Sequence, residues 1–332
     1  MPDAAFPPHV TLFGHSAGLD ASRFAAVVTL PTFRRPAQVV ETLRSLAAQK
    51  TSEPFAVIVM ENDAEGLAGA RAAKALFEDG TVEGLVIVAH QRGNCSAYNA
   101  GWATALKQFP AMRHLLVIDD DETASAGWIE GMRDAARRLG ADIVGGPQRP
   151  VFEREPRAGV RKHPVFAPPY GETRLVPALY SSGNLLIGRN VLEAMGPPFL
   201  DGRFNFLGGG DSDFLSRTAA KGFKLGWCAE APVMEAVPAR RVEGDWIRAR
   251  SVRNGVISTL VEKGKRGNSL GARARVLGKS LGLLSVSPLR AFRDTWRSGS
   301  AAIGAYPVLV AIGRLAAEFG YAREQYREPE KN

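Results

Sequence analysis

Four short apolar runs, residues 24–30, 55–60, 85–89 and 114–118, alternate with stretches of helical periodicity, and this alternation constrains the fold most. The runs are rich in Val, Ile and Leu and flanked by polar residues, the pattern of strands buried on both faces. Residues 36–49, 65–78 and 96–108 read as amphipathic helices; Val39, Val40, Leu43 and Leu46 share one face at three- and four-residue spacing. Repeated at this pitch, strand–helix–strand units form a parallel sheet with right-handed crossovers, and ligands collect beyond the carboxyl ends of its strands. The expected class is α/β, a Rossmann-like, mainly parallel sheet flanked by helices.

A chain of 332 residues suits one large domain with an appendage. Residues 1–23 hold Pro, Gly and polar residues without sustained periodicity and read as a lead-in without a signal peptide. The Pro- and Arg-rich segment 147–177 interrupts the alternation. Beyond it come a strand at 184–187, the Gly208–Gly210 run, a short helix from Asp211, a strand within 223–229, and basic helices from Asp245. The two cysteines, Cys95 and Cys228, lack metal-ligand spacing, so the default compartment is a reducing cytoplasm.

Charge is unevenly spread. Residues 236–297 carry 14 basic and 4 acidic side chains, whereas residues 1–235 carry 24 and 26. A basic block of this kind is either a solvated face or a surface for phosphates, such as a pyrophosphate or an anionic lipid. Aromatic residues are too sparsely interleaved for a nucleic-acid surface. No window reaches the roughly 18–20 uninterrupted apolar residues of a membrane span. The nearest, 298–313, is short and contains Pro307. Arg290, Arg293 and Arg297 recur beside Phe292 and Trp296, ahead of the apolar stretch 303–312. That segment reads either as lying in a membrane headgroup region, a peripheral contact, or as an ordinary core helix.

Three strand ends carry the candidate chemistry. The first run leads into Pro31-Thr32-Phe33-Arg34-Arg35-Pro36, the second ends in Glu61-Asn62-Asp63, and the fourth in Asp119-Asp120-Asp121-Glu122. Consecutive acids after a buried strand repel one another unless something offsets the repulsion. A hard divalent cation, Mg²⁺ or Mn²⁺, shared with substrate phosphates would do so. A solvated acidic turn capping the next helix is the plainer reading. Arg240, Arg241, Arg248, Arg250 and Arg253 lie around Trp246, and their forked guanidiniums suit a diphosphate, although an exposed basic helix would have the same composition.

In this order the motifs resemble family 2 glycosyltransferases of the GT-A fold. The resemblance includes Asn94-Cys95-Ser96-Ala97-Tyr98-Asn99-Ala100-Gly101, Ser182-Gly183-Asn184 and Gly209-Gly210-Asp211-Ser212-Asp213-Phe214, with Arg217 following. Within the family the chain looks most similar to bacterial exopolysaccharide glucosyltransferases of the succinoglycan type, sharing Thr32–Pro36, a Glu-Asn-Asp-Ala turn and Val237-Pro238 followed by Arg240. The resemblance implies a catalytic domain over 24–255, with 24–146 binding the nucleotide sugar and 147–255 the acceptor, and a basic, helical C-terminal extension over 256–332.

It also implies roles. Pro31, Thr32 and Arg34 would form the base and ribose pocket, Glu61 and Asp63 would lie near the uracil edge, and Asn99, Asp119 and Asp120 would complete the donor site. Asp119 and Asp121 match the family's metal-binding Asp-x-Asp, with Asp121 as the direct ligand. Asp211 matches the catalytic base. Gly183, Asn184, Gly210, Arg240, Arg250 and Arg253 would serve the acceptor or the diphosphate. The implied reaction is metal-dependent, inverting transfer of glucose or another hexose from a UDP-sugar to an acceptor hydroxyl. The acceptor would be a glycan or lipid-linked oligosaccharide at the inner face of the cytoplasmic membrane.

Some positions depart from the family pattern. Gly210 stands where an acid often precedes the base, Tyr98 where an Arg is frequent, and Met234-Glu235 where a metal-binding His is common. Glu235 is a substitute ligand in that reading. Gly14-His15-Ser16-Ala17-Gly18 fits a nucleophile elbow, but 13 preceding residues leave no room for the strands such an elbow needs. The Gly208–Gly210 run does not form a dinucleotide fingerprint. The alternatives are a sugar-phosphate nucleotidylyltransferase, or a non-catalytic sugar- or lipid-binding scaffold on the same fold.

Overall fold

The computed structural model describes residues 5–157, 159–267, 269–322, 324 and 327. Parts of the expected lead-in (1–4) and extension (268, 323, 325–326, 328–332) lie outside the described residues. Strands are β1 (Val10–His15), β2 (Ala26–Thr32), β3 (Phe55–Glu61), β4 (Gly84–Ala89), β5 (His114–Ile118), β6 (Glu122–Ala124), β7 (Ile143–Gly145), β8 (Gln148–Phe152), β9 (Arg174–Leu175), β10 (Asn184–Gly188), β11 (Leu225–Trp227) and β12 (Val233–Val237). Helices are α1 (Pro36–Ala47), α2 (Ala68–Glu78), α3 (Asn94–Gln108), α4 (Trp128–Leu139), α5 (Arg189–Met195), α6 (Gly210–Ala220), α7 (Gly244–Arg266), α8 (Leu270–Ser298) and α9 (Ala301–Glu318).

Nine strands form one sheet in the order β1-β4-β3-β2-β5-β10-β7-β11-β9. The four strands expected from the sequence, β2 to β5, are mutually parallel, and β1 joins antiparallel on β4. Residues 10–15 are thus not part of a loose lead-in. Their side chains are mostly half-buried, so they lack the continuous apolar run that marks β3. Ser16, from the apparent elbow, exchanges backbone and hydroxyl hydrogen bonds with Gly84 and is buried, which makes it a strand fastener. Past β5 the sheet turns mixed: β10 runs antiparallel to both β5 and β7. β6 and β12 pair antiparallel in a small second sheet, setting Glu235 opposite Glu122.

Local chemistry explains the boundaries. Pro36 opens α1 at the position where a missing N–H costs nothing. Gly140 closes α4 in the left-handed conformation. The core behind the sheet joins Leu30, Val57 and Ile118 to Leu43 of α1, Phe77 of α2 and Trp128 and Met132 of α4.

By internal contacts the described residues divide into one unit that includes 5–148 and 170–235 and another that includes 149–157, 159–169, 236–267 and 269–322. β8 and β12 each cross covalently from one to the other. In the second unit Phe166 stacks on Trp246, with centroids 6.2 Å apart, over a small core containing Val160, Val237 and Ile247. The expected domain end at residue 255 falls inside α7, which contains no Pro and runs through Gly255 and Gly264 to end at Gly267 in a positive-φ conformation.

α9 also differs from expectation. It is an unbroken helix of 18 residues that runs through Pro307, long and apolar enough by length and composition to cross a membrane. Yet Arg314 on it is buried and pairs with Glu262 of α7 at 2.8 Å. A side chain added at Gly255 would strike Val310 of α9, and one at Gly313 would strike Val252 of α7, so these helices touch backbone to backbone.

Candidate active site

The carboxyl ends of β2, β3 and β5 converge as the alternation implies, and hydrogen bonds tie them together. Thr32 ends β2 beside Glu61 in the sheet register and donates to Asp120 Oδ2 at 2.9 Å. Arg35, one residue before α1, lies 2.9 Å from Asp120 and 3.0 Å from Asp121. Burial opposes its charge, but Asp120 and Asp121 hold the guanidinium protonated beyond its ordinary range. Arg34 adopts a left-handed φ of 56°, which turns it away from Arg35 toward Asp63, 2.8 Å off.

Glu61 is fully buried and accepts the backbone N–H groups of Asp63 and Ala70, both at 2.9 Å. It therefore shapes the Asp63 turn and caps α2, while burial raises its carboxyl above the usual range. Pro31 lies on β2, paired in register with Met60.

The acidic turn after β5 is an electrostatic strain point. Burial pushes Asp119 up to about 7, with the charge of Asp121 adding to it, and raises Asp120 to about 6 against the pull of Arg35. Glu122 is raised well above its ordinary value by burial and by Asp119. Glu235 adds its charge to both Asp119 and Glu122. Glu122 accepts the Asp119 N–H at 2.9 Å and an amide hydrogen from Gln148. Among the described residues no three Asp, Glu, His or Cys side chains converge as a ready metal site.

α3 links this acidic turn to the start of α6. Tyr98, where the family often has Arg, is fully buried and donates its hydroxyl hydrogen to Asp119 Oδ1. One turn earlier, on the same face, Cys95 abuts Gly210, where any side chain would strike its sulfur. Burial and then the charge of Asp211 push the Cys95 thiol up to about 12, so it is a packing residue and not a nucleophile. Asp211 lies in the first turn of α6, its Oδ1 accepting the Ser212 N–H at 2.7 Å. Asp213 is instead buried and paired with Arg217 at 2.7 Å.

Other expected residues have structural partners. Asn99 exchanges both amide groups with the Leu200 backbone, at 2.8 and 2.9 Å. Asn184 accepts from the Trp128 indole at 2.8 Å and donates to Pro147 and Ala231 at 3.1 and 2.9 Å. Gly183 leaves room for the Glu122–Gln148 pair, since a Cβ there would lie 2.6 Å from Glu122 Oε1. Arg240, Arg250 and Arg253 belong to the second unit, in the turn before α7 and on α7, with Arg253 buried. The motifs assign no role to Arg35 or Tyr98; their signals in the sequence are the Arg directly before Pro36 and the Tyr in place of Arg.

Residues 27–193, from β2 into α5, match the model of glycosyl transferase family 2. The chain belongs to this family. The glycosyltransferase is 34% identical over 236 residues to the succinoglycan biosynthesis protein ExoM of Rhizobium meliloti (strain 1021), covering 68% of this chain and 71% of ExoM. The match sets aside the nucleotidylyltransferase and scaffold alternatives. The fold is shared with the mannosyltransferase PcManGT of Pyrobaculum calidifontis, solved with GDP-Man and Mn²⁺: TM-score 0.56, 16% identity, 92% of this chain and 90% of that one. It is likewise shared with Staphylococcus aureus TarS 1–349 solved with UDP: TM-score 0.50, 11% identity, 90% and 91% of the two chains. This glycosyltransferase therefore has the GT-A architecture expected from its motifs, with a helical C-terminal region.

Proposed function

We propose that this glycosyltransferase moves a hexose from a UDP-sugar, with inversion, to a hydroxyl of a lipid-linked oligosaccharide in exopolysaccharide synthesis, working at the inner face of the cytoplasmic membrane. The observation that carries the reading is the linkage of the acidic turn at Asp119–Glu122 to Asp211 through Tyr98 and Cys95 on one face of α3. The similarity to ExoM supports the exopolysaccharide context, and the UDP and GDP-Man complexes of the structural neighbours support a nucleotide-sugar donor.

The chemistry of the donor set suits a divalent cation, although the side chains do not converge on one point: Asp119 and Asp121 carry hard oxygen donors, and Glu235 lies opposite Glu122 in the sheet register. Asp121, with Asp119, would hold Mg²⁺ or Mn²⁺, which supplies neutralisation of the charge on the leaving diphosphate. Arg34 and Asp63 position the base side, and Thr32 and Arg35 fix Asp120. Asp211 takes the proton of the acceptor hydroxyl as its oxygen bonds to the anomeric carbon. The bond from that carbon to the diphosphate oxygen breaks on the opposite face, and its electron pair leaves with the nucleotide.

A panel of nucleotide sugars with Mg²⁺ or Mn²⁺, scored for nucleoside diphosphate release, tests the donor. Proton NMR of the first transfer product tests inversion. Retention at the anomeric carbon, or full activity in chelator, would overturn the corresponding part.

A further inference from the structure

The outward face of α8 is unusually apolar. Leu289, Phe292 and Trp296 are 74%, 69% and 81% exposed, and Leu281 continues the same stripe at 49%. Phe292 and Trp296 stack one turn apart, with centroids 6.4 Å from each other. The opposite face carries the buried Val276, Ser280 and Ser287, and a side chain at Gly304 of α9 would strike Thr295 of α8. The exposed stripe is therefore not the face α8 uses within its own unit.

Arg290, Arg293 and Arg297 flank this stripe and are exposed. Asp294, paired with Arg293 at 2.8 Å, is the one acid on the helix. Two copies meeting through this face would set arginines against arginines, which like charge opposes. An anionic bilayer answers both features, since aromatic rings settle at headgroup depth while guanidiniums meet phosphates.

We infer that α8, through the face from Leu281 to Trp296, seats the protein on an anionic lipid bilayer. The inference deepens the membrane part of the function proposed above and rests on it, not on the sugar chemistry. It differs from a membrane reading of residues 303–312, because α9 meets α7 backbone to backbone at Gly313 and α8 at Gly304.

Co-sedimentation of the full chain with phosphatidylglycerol–phosphatidylcholine vesicles and with pure phosphatidylcholine vesicles tests it. Binding to the anionic vesicles with a blue shift of tryptophan emission is expected. Phe292→Ser with Trp296→Ser, and separately Arg290→Glu with Arg297→Glu, each weaken binding by about tenfold or more. High salt weakens wild-type binding. Both variants keep wild-type thermal midpoints and donor-sugar hydrolysis. No wild-type binding at low salt, or undiminished binding by both variants, overturns the inference. So does a concentration-dependent dimer abolished by the Ser substitutions with no vesicle binding. Loss of donor hydrolysis in wild type with vesicle binding intact would refute the transferase chemistry alone.

Discussion

Arg35 and Asp121 are joined by a 3.0 Å ion pair, and the same guanidinium also reaches Asp120. The two acids differ in what else holds them. Asp120 is buried and bonded to Thr32, whereas Asp121 lies nearer solvent. A cation arriving with a diphosphate would compete with Arg35 for Asp121 and leave Asp120 in place.

Asp121→Ala is accordingly expected to abolish metal-dependent binding of UDP, while Asp120→Asn lowers stability through lost Thr32 and Arg35 bonds. Calorimetry with UDP, with and without Mn²⁺, reads the first effect. Unchanged affinity and unchanged metal dependence in Asp121→Ala would rule out that residue as a ligand.

Asp211→Asn keeps an acceptor for the Ser212 N–H but removes the proton acceptor at working pH. Transfer should fall by about 10²-fold or more, with UDP-sugar affinity within a few fold. Near-normal transfer would make Asp211 a helix-turn residue only.

Asn184→Ala removes the partner of the buried Trp128 indole and of the Ala231 carbonyl, while the Pro147 carbonyl keeps the Val233 N–H. A loss of about 2–4 kcal/mol in urea unfolding is expected. A purely acceptor-binding Asn184 would instead change KM and leave unfolding untouched.

His114 begins β5, where burial and then Arg133 and Arg113 lower its pKa from 6.5 to about 4. The folded state thus binds fewer protons than the unfolded chain between these values. This contribution is complete above about pH 6.5 and is lost as pH falls toward 4, up to about 3 kcal/mol. Comparing His114→Thr with wild type isolates it from the carboxylates, and parallel pH–stability curves would contradict it.

Much of the fold is legible in the residues. β2 to β5 announce themselves because strands buried on both faces need unbroken apolar runs. α4 is harder to read, since part of its buried face is Ala135 and Ala136, which carry little hydrophobic signal. At the site, the strand ends and Asp211 follow from motif order. Which way each acid of the Asp119–Asp121 turn points depends on partners at Thr32, Arg35 and Tyr98, far away in sequence. The partners of Asn99 and Asn184, at 200, 128, 147 and 231, are likewise set by the tertiary fold and are not legible in the sequence.

The antiparallel strand β1 has a practical consequence. It lies along β4 and caps that end of the large sheet. A recombinant chain started at Phe24, where the first strong apolar run begins, would lose this cover and leave β4, an all-buried strand, with an open ladder of N–H and C=O groups. Such an edge recruits other chains. The shortened protein should collect in inclusion bodies or as large soluble aggregates, whereas a start before Val10 should yield monodisperse material.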